Sequence, residues 1–318
     1  MQLIRGLYNL RPEHKACVLS IGNFDGLHLG HQALLALLRD QAEQLQTRAC
    51  LLSFEPLPHE YFNRIHDIPG SGRLMNTREK LITLQQLEPG LCPDTLLLLR
   101  FSAALAEMSA ADFIQRVLIE ALAIRALVIG DDFRFGHGRE GDIEMLRQAA
   151  AQHGFAITSL STHVLDQMRV SSTRVREALQ QNRLGDAARM LGREYKICGR
   201  VVHGEKRGRT IGFPTANIRL KRSASPLHGV YSVTMHTIEH GALPAIANLG
   251  TRPTLSGTEI RLEVHIFDFS GDLYGQNVCV AFHEKIRDEI KFDGLDALKK
   301  QIALDCETAK KQLKMNNE

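Results

Sequence analysis

A short apolar run, Cys17 to Gly22, passes without a linker into Asn23-Phe24-Asp25-Gly26-Leu27-His28-Leu29-Gly30-His31. The chain then repeats leucine and alanine at helical spacing, with Leu34, Leu35, Leu38, Ala42 and Leu45. A buried strand turning directly into an amphipathic helix is the opening unit of a parallel βαβ sheet. Such sheets bind ligands at the carboxyl ends of their strands, where helix N-termini offer free N–H groups and a favourable dipole to anions. Gly22, Gly26 and Gly30 let the backbone turn tightly and approach an anion. His28 and His31 lie three apart, so both can point to one side at the helix start, each with an imidazole donor for a phosphate oxygen. A bare His-x-x-His would more often be a metal pair or a surface pair. Here the glycines and the strand-to-helix placement favour a phosphate-gripping turn. No Gly-x-x-x-x-Gly-Lys-Ser/Thr loop competes for that role.

The first half continues the alternation. Strands are expected at Arg48 to Phe54, Thr95 to Leu99, Ala126 to Gly130 and Phe155 to Leu160. Helices are expected after the capping patterns Asn76-Thr77-Arg78-Glu79 and Ser109 to Asp112, and again from Ile143 to His153. This is a doubly wound, Rossmann-like parallel sheet. Residues 172–191 read as a helical bridge. From about residue 197 to 285 the pattern becomes short β segments between glycine and proline turns, the look of a small antiparallel barrel, followed by a terminal helix from Gly294 to about Gln312. The boundary between the two domains is set at 185/186.

Bulk properties restrict the function classes. A chain of 318 residues, 44% hydrophobic and 24% charged, is that of a folded two-domain protein. A formal charge of +3 gives no general case for nucleic acid or membrane binding. No apolar stretch of about 18 residues is present, and the first ten residues do not read as a signal peptide. The six cysteines show no Cys-x-x-Cys pair and no zinc spacing, so they are expected as free thiols in a reducing, cytoplasmic setting.

Further polar loops follow expected strands of the first half. These are Ser53-Phe-Glu-Pro-Leu-Pro58, the stretch Gly130 to Arg139 that contains Asp132, and Val170 to Arg176. In the last, Ser171, Ser172 and Thr173 can cap a helix while Arg174 faces a phosphate. In the second half, Gly204 sits in a glycine-rich turn ahead of Pro214-Thr215-Ala216-Asn217. Thr215 and Asn217 share one face of an extended chain, and their hard oxygens suit Mg²⁺ carried by a nucleotide. Arg261 to Phe267 alternates, with Leu262, Val264 and Ile266 on one face and Glu263 on the other, where a carboxylate lining a pocket would act as a base.

GNFDGLHLGH, FEPLP, GDDFRFG and SSTRVREAL together resemble the adenylyltransferase module of prokaryotic bifunctional riboflavin kinase/FAD synthetases. LGREY, GFPTANI, GVYSV, NLGTRPT, LEVHIFDF, LYG and IRDEIKF resemble the riboflavin kinase module of the same family, nearly to the C-terminus. The resemblance departs from the family pattern at Leu57, where many members carry His, and at Asp132, where some carry Asn. It implies an FMN adenylyltransferase domain over 1–185 and a six-stranded riboflavin kinase barrel over 186–318. By this resemblance His28 and His31 stabilise the phosphates, and Gly22, Asn23, Phe24, Asp25, Gly26, Gly30, Asp132, Ser171, Ser172, Thr173 and Arg174 form the nucleotide site. Thr215 and Asn217 hold Mg-ATP beside Gly204, Glu263 is the base for the ribityl 5′-hydroxyl, and Arg287 lies near the flavin. Riboflavin and ATP would give FMN, and FMN with ATP would give FAD.

Two other readings compete. Aminoacyl-tRNA synthetases share a His-x-Gly-His turn, but they pair it with a Lys-Met-Ser-Lys-Ser-like loop where this chain has Ser171-Ser172-Thr173-Arg174. Alternatively, another nucleotidyltransferase could carry a barrel that grips nucleic acid through Lys206, Arg207, Arg209, Lys221 and Arg222. Such a surface would interleave aromatic residues for base stacking, and only Phe213 lies near these cations. The expectation is therefore small-molecule substrates, with neither nucleic acid nor membrane as partner.

Overall fold

The computed structural model describes residues 1–68, 70, 72–161, 164–165, 168–204, 212–220, 222, 224–254 and 257–315. The basic residues Lys206, Arg207, Arg209 and Lys221 lie outside this set. The chain forms two compact units, one of residues 1–70 and 80–171, the other of 71–79 and 172–318.

In the first unit, strands β1 (Gln2–Arg5), β2 (Val18–Ile21), β3 (Ala49–Glu55), β4 (Thr95–Arg100), β5 (Ala126–Gly130) and β6 (Ala156–Leu160) build one sheet in the order β1-β4-β3-β2-β5-β6. Every pairing in it is parallel. Helix α1 (Leu29–Gln44) follows β2 and α2 (Pro58–Ile65) follows β3. Next come α3 (Thr77–Gln86), which begins in the second unit's segment, then α4 (Ala103–Ala106) and α5 (Ala110–Asp112). A π-helical stretch, Phe113–Ala121, extends α5, and α6 (Ile143–His153) precedes β6. Cys17, Leu19, Cys50, Leu52, Leu97, Leu127 and Ile129 pack against Phe113, Val117 and Leu118 of the π-helical stretch. Two of the predicted strands and helices coincide with the structure at both ends, Ala126–Gly130 and Ile143–His153. The anticipated caps also form. Asn76 Oδ1 accepts from Glu79 N–H at 3.0 Å, and Ser109 Oγ accepts from Asp112 N–H at 3.0 Å.

A small hairpin, β7 (Val164–Leu165) and β8 (Met168–Arg169), ends the first unit. The predicted bridge consists of two helices, α7 (Ser172–Gln180) and α8 (Leu184–Leu191), both in the second unit. Strands β9 (Lys196–Val202), β10 (Ala216–Arg219), β11 (Gly229–Thr237), β12 (Gly241–Thr254), β13 (Gly257–Ile266) and β14 (Asn277–Arg287) close into a barrel ordered β10-β13-β12-β11-β14-β9. Closure removes the free sheet edges. Tyr231, Val233, Met235, Leu262, Val264 and Phe282 fill the interior. The terminal helix α9 (Leu295–Met315) lays Cys306, Ala309 and Leu313 on Val230, Ile246 and Phe267 of the barrel's outer face. Burial pushes the Cys306 thiol up to about 11, so it packs as an apolar group.

Two of the cysteines expected to be free are not. Cys198 of β9 and Cys279 of β14 form a disulfide, because antiparallel register sets them directly opposite one another. Their separation of 81 residues hides this pairing from any local motif. Arg222 also departs from expectation. It is no surface cation: its side chain is 1% exposed, and Nη2 donates to both carboxylate oxygens of Glu79 at 2.7 and 2.6 Å. Glu79 accepts two further bonds, from Cys198 N–H at 2.7 Å and Asn76 N–H at 2.6 Å. Arg222 Nη1 donates to Tyr195 Oη, which donates onward to the Leu74 carbonyl. Truncating one member strands a buried charge. Arg222→Leu is therefore expected to destabilise the second unit by about 3–5 kcal/mol, and Glu79→Met with Arg222→Leu by much less. Hydrogen exchange of the β9 and β14 amides against urea measures both.

Candidate active sites

In the first unit the site begins at the end of β2. Strand order runs outward from β2 through β3 and β4 on one side and through β5 and β6 on the other, so the segment after β2 lies at the topological switch point. Gly22 N–H donates to the Leu52 carbonyl, and the chain then turns through left-handed conformations at Phe24 (φ 45°), Gly26 (φ 87°) and Leu27 (φ 45°). Left-handed backbone at Phe24 and Leu27, which carry large side chains, stores local strain that the surroundings must hold. Both side chains are buried, as is Asp25. Gly22 leaves room beside them, since a methyl there would meet the Phe24 ring closely, at 3.1 Å.

His28 is the N-cap of α1. Its Nδ1 accepts from His31 N–H at 3.3 Å, so neutral His28 carries its proton on Nε2. The two imidazoles stack with centroids 3.6 Å apart and planes 17° from parallel, and the Phe24 ring lies 4.9 Å from that of His31. Gly30 occupies the first turn of α1. The predicted pair of histidines and the predicted glycines are therefore brought together on one turn.

Asp132 follows β5, and its carboxylate pairs with Arg169 of β8. The acidic charge that the sequence sets near the site is thus matched inside the first unit. Leu57, the other position at which the chain departs from the family pattern, is buried and donates its N–H to Glu60 at 3.0 Å. Ser171 ends the first unit, whereas Ser172, Thr173 and Arg174 open α7 in the second.

The second unit carries its own constellation. Asn217 of β10 stands opposite Glu263 of β13, and Glu263 stands opposite Asn248 of β12. Side chains paired in this way lie about 5 Å apart at Cβ, so the three form a row across the sheet. Leu262 and Val264, the neighbours of Glu263, point into the core, which leaves Glu263 on the outer face as alternation predicts. Thr215 precedes β10 by one residue. His265 Nδ1 lies 2.8 Å from the Pro214 carbonyl and anchors the start of this segment to β13. Gly204 is needed for space: a methyl group there would overlap the Asn217 amide. Asn248 was not legible as a member of the row, since only strand register brings it there. Its Nδ2 donates to Glu289 at 3.0 Å.

Arg287 closes β14. Its Nε and Nη2 make a two-pronged pair with the buried Asp305 of α9, at 2.9 and 2.7 Å to Oδ2, while Nη1 donates to the Asp288 carbonyl. Its guanidinium carbon also lies 5.8 Å from the centre of the Phe292 ring. The charge of Arg287 is therefore spent on fixing the terminal helix.

Residues 10–174 match the FAD synthetase family and residues 191–313 the riboflavin kinase family. The bifunctional riboflavin kinase/FMN adenylyltransferase of Haemophilus influenzae is 46% identical over 310 residues, covering 98% of each chain. That of Pseudomonas fluorescens is 45% identical over 311 residues, covering 98% of this chain and 97% of its own. A crystal structure described as a macrolide-efflux protein from Streptococcus pneumoniae superposes with a TM-score of 0.79 at 30% identity, over 98% of this chain and 99% of that one. Among the described residues no helix is long and apolar enough to cross a membrane. With both family matches in sequence order and relatives alike from end to end, the chain belongs to the bifunctional riboflavin kinase/FMN adenylyltransferases.

Proposed function

We propose that this protein phosphorylates riboflavin to FMN with ATP and then adenylylates FMN with a second ATP, releasing pyrophosphate and FAD. The observation that carries the reading is likeness over nearly the whole chain, at 45–46% identity, to enzymes named for both activities. In the kinase step Glu263 takes the proton of the ribityl 5′-hydroxyl as its oxygen attacks the γ-phosphorus, and ADP leaves. Thr215 and Asn217 supply neutral oxygens to Mg²⁺, which arrives with ATP as part of the substrate and neutralises phosphate charge. Gly204 gives the Asn217 amide its room. Arg287 serves the flavin site by anchoring α9 through Asp305.

In the adenylylation step a phosphate oxygen of FMN attacks the α-phosphorus of ATP. Charge builds on the leaving pyrophosphate, and the His28 and His31 imidazoles with the α1 N-terminus stabilise it. Gly22, Asn23, Phe24, Asp25, Gly26 and Gly30 shape the cradle, and Asp132 keeps its Arg169 partner at the rim. Ser171, Ser172, Thr173 and Arg174 bind on the phosphate side. Neither step needs a covalent enzyme intermediate. We assign the protein to the cytoplasm; a bridge such as Cys198–Cys279 is uncommon in that compartment.

Chromatography of a reaction holding riboflavin, ATP and Mg²⁺ tests the reading. FMN should rise first and FAD follow at its expense. Absence of both products overturns the proposal, and FMN without FAD overturns its second half.

A further inference from the structure

One buried cation of the first unit has no part in the mechanism above. Lys80, on α3, is 4% exposed, and its Nζ donates to the Asn23 carbonyl at 2.7 Å and to Ser53 Oγ at 2.8 Å. Ser53 is fully buried at the carboxyl end of β3, and its Oγ donates to the same Asn23 carbonyl at 3.1 Å. The three groups close a ring in which both lone pairs of that carbonyl are used. Burying an ammonium group this deeply is costly unless its donors are placed, and here two of them are spent on one backbone atom and its neighbour.

The carbonyl so held is the last before the left-handed turn. A trans peptide is planar, with its C=O and the following N–H pointing in opposite directions. Tying the Asn23 oxygen back toward Lys80 and Ser53 therefore fixes the Phe24 N–H in the opposite direction. Among the described residues that N–H has no acceptor, although Phe24 is 1% exposed. Buried N–H groups in native proteins are satisfied by protein, ordered water or a bound ligand, and a phosphate oxygen is an acceptor this N–H can take. The anion cradle of the α1 N-terminus lies four residues further along the chain.

We propose that Lys80, together with Ser53, is a positioning residue of the adenylyl-transfer site: it tethers the Asn23 carbonyl so that the Phe24 N–H stands oriented to bind a phosphate oxygen of the nucleotide. The proposal rests on the adenylyltransferase reading above. It gives the chain a preset donor that needs no reorganisation when charge develops on the phosphates. It also supplies what keeps Phe24 in its left-handed conformation.

Lys80→Met keeps an unbranched side chain, one atom shorter, and removes its donors. Its kcat for FMN adenylylation should fall about 10²-fold, the usual loss for one oriented donor, with KM for FMN little changed. Riboflavin phosphorylation by the same chain should be unaltered. Lys80→Arg, which keeps a donor, should recover part of the lost kcat, and Ser53→Ala should lower kcat in the same direction by less. A purely structural lysine would instead lower thermal stability without separating kcat from KM. If Lys80→Met is folded and adenylylates FMN at the wild-type rate, the proposal is overturned. If Lys80→Met does not fold, Ser53→Ala decides, and an unchanged kcat in that variant overturns it equally. A wild-type protein that makes FMN but no FAD removes the adenylyltransferase reading itself, an outcome distinct from an effect of Lys80.

Discussion

His31→Ala is expected to lower the rate of FMN adenylylation by about 10²–10³-fold, roughly 3–4 kcal/mol of barrier, while riboflavin phosphorylation continues at the wild-type rate. The argument starts from the helix terminus. The first N–H groups of α1 have no partner within the helix, and its dipole favours negative charge at that end. An imidazole placed in the first turn adds a directed donor to that field. His31 is the better of the two histidines to remove. His28 caps α1 through Nδ1, so His28→Ala also loses a cap worth about 1 kcal/mol. His31 contributes only its backbone N–H to that cap, and alanine retains it. Alanine is also the best helix former, so α1 keeps its start. Separate steady-state assays of the two activities, with ATP saturating, read the effect. Equal loss of both would mean that the substitution acts on folding, and an undiminished FAD rate would remove His31 from the chemistry.

The strand-to-helix turn after β2 was legible because all of its signals are local. Apolar strand, glycines, paired histidines and leucine-spaced helix occupy one continuous stretch, and the structure joins them as the spacing predicts. Strands buried on both faces were equally plain, since near-continuous apolar runs such as Ala126–Gly130 leave no periodic alternative. Helix α2 was not read. Pro56 before it and Pro58 at its start look like loop punctuation, yet proline at the first position of a helix is favourable because its missing N–H would have had no helical partner. Strand β1 was missed for another reason. Gln2–Arg5 is short and half polar, and only pairing with β4 makes it a strand. The features that depend on register were beyond the sequence altogether. These include the Cys198–Cys279 bridge, the burial of Arg222 against Glu79, and the alignment of Asn248 with Glu263. Each joins residues tens to more than a hundred positions apart or fixed by strand pairing, and no local motif records such a meeting. Lys80 belongs to the same class, since its partners Asn23 and Ser53 are 57 and 27 positions away.

Glu263→Gln should abolish most FMN formation, by about 10²–10⁴-fold, and leave conversion of supplied FMN to FAD intact. Glutamine preserves the shape of the side chain and its place opposite Asn217 and Asn248, so the row across β10, β13 and β12 survives. What it removes is the one group in that row able to take a proton. Both neighbours are amides, whose oxygens accept hydrogen bonds but do not act as bases near neutral pH. The variant therefore separates positioning from proton transfer. Loss of Asn217 or Thr215 would weaken Mg-ATP and raise its KM, whereas loss of the Glu263 carboxylate should lower kcat with the KM for riboflavin little changed. Supplying FMN directly bypasses the first step and reports on the first unit alone. A Glu263→Gln protein that still phosphorylates riboflavin at the wild-type rate would remove Glu263 as the base, and the ribityl hydroxyl would then have to lose its proton to another acceptor.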